Sequence, residues 1–366
     1  MVNNQLHRWR KLLLGCSFFL IAWLLPYLTN EHSSGVGAFY FSKFYRFSQR
    51  TTAIFFDRIP ISVGDLCYAL VILSFFYASI KYFRNPRLLF SHWKLWVFWL
   101  GLLFLVFQLR WGLNYQRVAT FPIQKEFQEF NSDALIRTVA QLIDQTNSLH
   151  QELSPHPDSI AHIPYSKKEL QKIIENASYF KSFQTPVKLK HSEWSLALSY
   201  MGYSGYVNPW TLEAQVNRKI PKMSYVITAA HELQHQLGIA PENEANFGAF
   251  LATSSHPDPW IQLAANSFAL RYCLSALWQN IPEEAKTLQK KIHPGILAGY
   301  REQVAFWKRY ENPLENLFKW SYDHFLKAQG QALGIQSYGA VVQLLIQHFE
   351  NKETTLENTK KILILE

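Results

Sequence analysis

The feature that most constrains this chain is "LLLGCSFFLIAWLLPYLTN", residues 12 to 30, 19 positions without a charge. Inside hydrocarbon, backbone N–H and C=O groups must pair within the segment itself. A run of this length therefore predicts a helix long enough to cross a bilayer core of roughly 30 Å. Two further runs, "LCYALVILSFFYASI" at 66 to 80 and "LWVFWLGLLFLVFQL" at 95 to 109, have 15 residues each, a length that also suits a buried core helix. Lys81 and Arg110 can snorkel and extend these runs by a turn. Trp93, Trp96, Trp99 and Trp111 would set aromatic rings at the two interfaces. The expectation is three transmembrane helices near 12–30, 66–83 and 95–113, forming a membrane anchor over residues 1–120.

Charge placement sets the orientation. Arg8, Arg10 and Lys11 precede the first run, and Lys81, Arg84, Arg87 and Lys94 fill the short loop between the second and third. Short basic flanks stay cytoplasmic, so three spans deliver residues 121–366 to the far side. The first loop is basic too, and its segment "AFYFSKFYRFSQR" mixes aromatics and cations in a way suited to the interface. Residues 1–120 carry 13 Lys and Arg against 3 acids, a net of +10, whereas residues 121–366 carry 23 against 24, a net of −1. The overall +9 thus belongs to membrane flanks, and no nucleic-acid partner is expected. Cys16, Cys67 and Cys273 imply neither a disulfide framework nor a Cys-based zinc site. The apolar run lies mostly after Cys16, which excludes a lipoprotein cleavage box.

From residue 121 the apolar residues become periodic. Leu135, Val139, Leu142 and Leu149 share one face of a helix capped by Asn131 or Ser132. "SPHPDSIAHIP" reads as a loop, a helix follows near 166–181, and "TPVKLKH" and "GYSGYVNPWTLEAQVN" read as short strands. Beyond Ser224 the pattern is helical, with breaks near Pro257, Pro282, Pro294 and Pro313. The fold class is N-terminal transmembrane helices followed by a helix-dominated α+β domain.

Within that domain, "TAAHELQHQLGIAPENEANFGAFLA" carries chemistry. His231 and His235 are one helical turn apart and roughly 40° around the axis, so both imidazoles reach one point. Glu232 lies about 100° away, within reach of a water held there without being a ligand. A hydrolytic zinc site needs this set: imidazoles on the ion and a carboxylate to take the proton from its water. Ser224 is expected to cap the motif helix and Gly238 to end it, with Pro241 opening a second helix. Glu242 and Glu244 are both in reach as a third ligand, but they point roughly 200° apart and only one can face the ion. Helix phase alone leaves the choice open. Asn246, one turn after Glu242, tips it to Glu242 as ligand with Asn246 hydrogen-bonded behind the histidines. Glu244 stays as the alternative.

The segment resembles the gluzincin group of zinc metallopeptidases, in which His-Glu-x-x-His is followed by a glutamate on the next helix. "ENEAN" resembles membrane-bound members with a Glu-x-x-Ala-Asp or Glu-x-x-Ala-Asn pattern. The whole chain, with "SGYVNPWTLEAQVN" and "GIQSYGAVVQLL", is similar to an uncharacterised bacterial membrane-anchored domain-of-unknown-function family assigned to that superfamily. The resemblance implies a zincin-like metallopeptidase domain at 121–366, with Zn2+ on His231, His235 and Glu242 and with Glu232 as general base. It implies a multi-pass protein of the bacterial inner membrane with an extracytoplasmic catalytic domain. Its partners would be the lipid bilayer and a protein or peptide substrate. The alternative is a catalytically inactive zincin-like binding or scaffold protein. An oxyanion would need a further donor, for which Tyr338, Tyr206 and His324 are candidates. "GYSGYVNP" could supply an edge strand for an extended peptide. His150, His156, His162, His191, His256 and His293 lack ligand spacing and are expected at the surface.

Overall fold

A computed structural model describes residues 2–29, 35–183, 185–331 and 338–351. The chain divides into two compact units, residues 1–118 with 208–213 and residues 119–207 with 214–366.

The first unit is built on α1 (Val2–Thr29), α4 (Val63–Arg84) and α5 (Pro86–Arg110). Stretches of all three, Trp9–Thr29, Val63–Arg84 and His92–Arg110, are long and apolar enough to cross a membrane. The two runs of 15 are therefore parts of longer helices. α4 continues past its run through Lys81 to Arg84, and α5 starts at Pro86 and ends at Arg110, with Asn85 and Pro86 separating the two. Ser62 caps α4 by accepting from the Asp65 N–H. Between the first two spans run α2 (Val36–Phe39), one π-helical turn (Tyr40–Phe44) and α3 (Tyr45–Phe56).

The second unit opens with α6 (Ser132–Leu153), capped by Asn131. The helix expected over 166–181 is two, α7 (Lys167–Glu175) and α8 (Ser178–Ser182), parted at Asn176–Ala177. Strands β1 (Leu189–His191), β2 (Gly205–Val207) and β3 (Ala214–Val216) form one sheet in the order β1-β3-β2, β1 parallel and β2 antiparallel to β3. Between β1 and β2 lies α9 (Ser195–Met201), a helix absent from the sequence reading because its seven residues are too few to show a period. α10 (Lys222–Gln236) packs on the sheet and against α11 (Glu242–Ser254). The helical remainder is α12 (Pro259–Asn280), α13 (Pro282–Gln289), α14 (Pro294–Lys308), α15 (Pro313–Ala328) and α16 (Tyr338–Glu350). α12 to α15 each begin at a proline, where a missing N–H costs nothing. Leu135, Val139, Leu142, Val216, Tyr225, Ala229, Leu233, Phe250 and Leu270 belong to one buried core around α10.

The segment 208–213, between β2 and β3, belongs to the first unit rather than the second. Its Glu213 carboxylate accepts from the Val63 and Gly64 N–H groups at the start of α4, at 3.1 and 2.5 Å. A carboxylate there satisfies orphan donors and opposes the positive end of the helix dipole.

Candidate metal centre

α10 begins three residues earlier than expected. Pro221 stands at the cap position, and Ser224 sits inside the helix with its hydroxyl donating to Gln303 Oε1 at 3.2 Å. The helix ends as the glycine suggested. Gly238 has φ of 88°, and N–H groups of Gly238 and Ile239 close onto the carbonyls of His235 and Gln234. This turn has a chemical consequence: it swings the Ile239 carbonyl back to His235 Nδ1, 2.7 Å away. A carbonyl only accepts, so Nδ1 carries the proton and Nε2 is the ring nitrogen that faces the centre.

The His231 and His235 rings lie 4.5 Å apart at 83° to each other. Pro241 caps α11, which places Glu242 on its first turn, facing both rings. Glu242 Oε2 lies 3.3 Å from His231 Nε2, and Oε1 lies 3.5 Å from His235 Nε2. One donor atom from each of the three falls within 4.8 Å of the others. Charge-assisted hydrogen bonds are shorter, about 2.7–2.9 Å. Donors at about 2.0–2.1 Å from one tetrahedral ion stand roughly 3.3–3.4 Å apart. Two imidazoles and a carboxylate are a donor set that a zinc ion takes, and the Glu242 oxygens stand off the rings by more than a charge-assisted hydrogen bond. Burial opposes charge on Glu242, but His235 and His231 outweigh it and hold its carboxyl well below the usual range. Burial likewise opposes charge on His235, and Glu242 reverses the balance, holding its imidazole above the usual value.

Glu232 is buried beside the triad and its Oε2 has no hydrogen-bond partner. Burial raises its carboxyl to about 7 despite the pull of His231 and His235. β2 runs against it: a Cβ on Gly205 would stand 2.6 Å from Glu232 Oε1 and 2.7 Å from the Gln215 carbonyl. Only glycine lets the strand come this close.

Of the remaining expected residues, Glu244 does not join the histidines. It is buried elsewhere, its Oε2 accepting from the Thr120 and Phe121 N–H groups at 2.6 and 3.3 Å. Asn246 is half-buried and no hydrogen bond links it to His231 or His235. The His231 Nδ1 atom is buried without a partner. Tyr206 lies in β2, paired with Gln215. His324 turns to its own helix, Nδ1 on the Trp320 carbonyl at 2.8 Å and its ring 4.1 Å from that indole. The Tyr338 side chain lies outside the described residues. The tyrosine that does reach the centre is Tyr322, whose hydroxyl donates to Glu242 Oε1 at 2.5 Å. It is two residues from His324 on α15, hence on roughly the opposite face, and no local pattern marked it. His150, expected at the surface, is buried, with Nδ1 3.2 Å from His293 Nδ1 and Nε2 2.9 Å from the Ser159 carbonyl.

Residues 40–346 match a family described as "Protein of unknown function (DUF3810)". The chain belongs to the DUF3810 family. No curated protein and no solved structure matches it. The DUF3810 match spans two of the three candidate membrane helices and the whole of the cluster. Its description names no activity, so any reading of function rests on residues 231 to 246 and their neighbours.

Proposed function

We propose that this DUF3810 protein is a membrane-anchored zinc peptidase with a zincin-like catalytic domain outside the cytoplasm of a bacterial cell. The observation that carries the reading is the convergence of His231, His235 and Glu242 donor atoms within 4.8 Å, with Glu232 buried beside them and its Oε2 unpartnered. His231, His235 and Glu242 would hold the ion. When bound there, zinc would lower the pKa of a water and polarise a carbonyl.

The chain's own groups do the rest. Glu232 Oε2 takes the proton of the attacking water and returns it to the leaving amine nitrogen. The Ile239 carbonyl holds the His235 ring in orientation, and the Tyr322 hydroxyl steadies Glu242. Among the described residues β2 has one sheet neighbour, β3, so its other edge offers main-chain N–H and C=O groups near Glu232. An extended peptide would pair there, which favours an unstructured polypeptide substrate.

The test uses the full-length protein purified in detergent, with metal content measured beside cleavage of an unfolded protein. Glu232→Gln should keep its zinc and lose about 10²–10⁴-fold in rate, the usual share of a general base. His235→Ala should lose the metal. A wild-type protein that binds zinc and cleaves nothing would be an inactive zincin-like binding protein, and one without zinc a scaffold. Undiminished cleavage by the Gln variant would refute the mechanism.

A further inference from the structure

The helical stretch between the first two candidate spans is built inside out. Along residues 36–56 the buried side chains include Ser48, Gln49 and Thr52, 6, 3 and 7% exposed, together with Tyr40 and Tyr45. The outward residues include Phe39, Phe47, Ile54 and Phe55, at 58, 69, 65 and 66% exposure. A helix facing water shows the reverse arrangement. Phe39, Lys43, Phe47, Arg50, Ile54 and Arg58 follow one another at steps of three or four, and all are exposed, so rings and aliphatic groups alternate with cations along one stripe. Residues 36–58 carry Lys43, Arg46, Arg50 and Arg58 against Asp57, a net of +3.

Contacts within the first unit fix its level. The Tyr40 hydroxyl donates to the Leu109 carbonyl at 3.0 Å, and Arg110 Nη2 donates to Thr52 Oγ1. Leu109 and Arg110 are the last residues of the third span. At its other end Gly37 abuts the carbonyl of Thr29, the last residue of the first span, and α3 leads within seven residues to Val63, the first residue of the second. The stretch therefore lies at the height where all three spans meet the same face of the bilayer.

We infer that the helical stretch 36–56, with Arg58 in the turn after it, is an amphipathic segment embedded in the membrane interface and bound to anionic phospholipid. Phe39, Phe47, Ile54 and Phe55 sit at the acyl boundary, and Lys43, Arg50 and Arg58 reach the phosphates. The inference rests on the membrane reading of the three spans, and the test separates the two. Cys16, Cys67 and Cys273 are replaced by alanine in the full chain, and single cysteines are introduced as Phe47→Cys, Ile54→Cys, Leu73→Cys and Glu284→Cys. Each is spin-labelled and reconstituted in phosphatidylglycerol-containing vesicles, and its collisions with oxygen and with a water-soluble nickel chelate are compared.

Leu73, exposed in mid-span, should show oxygen well above nickel, and Glu284 the reverse. Labels at 47 and 54 should resemble Leu73 at shallower depth. Replacing Lys43, Arg50 and Arg58 by Gln should shift both toward the Glu284 value and leave Leu73 unmoved. Labels at 47 and 54 that match Glu284 overturn the inference, as does exclusion of both reagents, which would mean that protein covers the stripe. A depth unchanged by the triple substitution overturns the anionic-lipid half. A Leu73 label that matches Glu284 instead refutes the membrane reading itself.

Discussion

At the scale of residues, the balance between burial and the neighbouring imidazoles decides what the carboxylates at the centre do. Glu232 and Glu242 are ten positions apart and share the same histidines, yet their carboxyls move in opposite directions. Glu242 faces both imidazoles directly, and their charges outweigh burial. Glu232 has an unpartnered oxygen, and desolvation wins, raising it from 4.5 to about 7. The sign of the resulting linkage is clear. Between those two values folded Glu232 keeps a proton that the unfolded chain has lost, so stability falls as pH rises through that window and is level above it. Glutamine does not titrate. In chelator-treated protein, the stability of wild type relative to Glu232→Gln should therefore drop by about 3 kcal/mol from pH 4.5 to 7. Unfolding of both proteins across that range checks this, and a constant difference would mean that Glu232 ionises like an exposed carboxyl.

At the scale of elements, the unit that matters is α10, the Gly238 turn and α11. Two glutamates compete for the first turn of α11, and the turn decides between them. It directs Glu242 back across α10 and leaves Glu244 facing the chain at Thr120 and Phe121. Phe121 in turn packs edge-on against Phe247, with centroids 5.2 Å apart. Glu242→Ala should abolish tight zinc binding. Glu244→Ala should retain zinc but destabilise the second unit by about 1–3 kcal/mol, because one buried and one part-buried N–H group lose a charged acceptor. Metal content and thermal unfolding of the two variants separate these roles. Zinc lost from the Glu244 variant at unchanged stability would reverse the assignment.

At the scale of the whole molecule, the proposed orientation rests on three candidate spans and on the basic residues before the first and between the second and third. Reporter fusions in the connection at Asn85 and after Glu366 should fall on opposite sides of the membrane, cytoplasmic and extracytoplasmic. Two cytoplasmic reports would remove the third span and the proposed location of the catalytic domain with it.

What was legible in the sequence is what has a short period or a local cause. Uncharged runs announced the three long helices, a four-residue spacing paired His231 with His235, and Gly238 ended their helix because a left-handed turn favours glycine. Only the tertiary structure decided the rest. It brought Glu242 to the histidines through the Gly238 turn, not through the Asn246 pairing on which the sequence chose it, and supplied Tyr322 from α15. It also pressed Gly205 against Glu232 and turned the polar face of residues 45–56 inward. Each of these depends on which distant residues meet. A helix phase or a strand alternation describes one element's own faces, and carries no record of the partner that the fold brings to them.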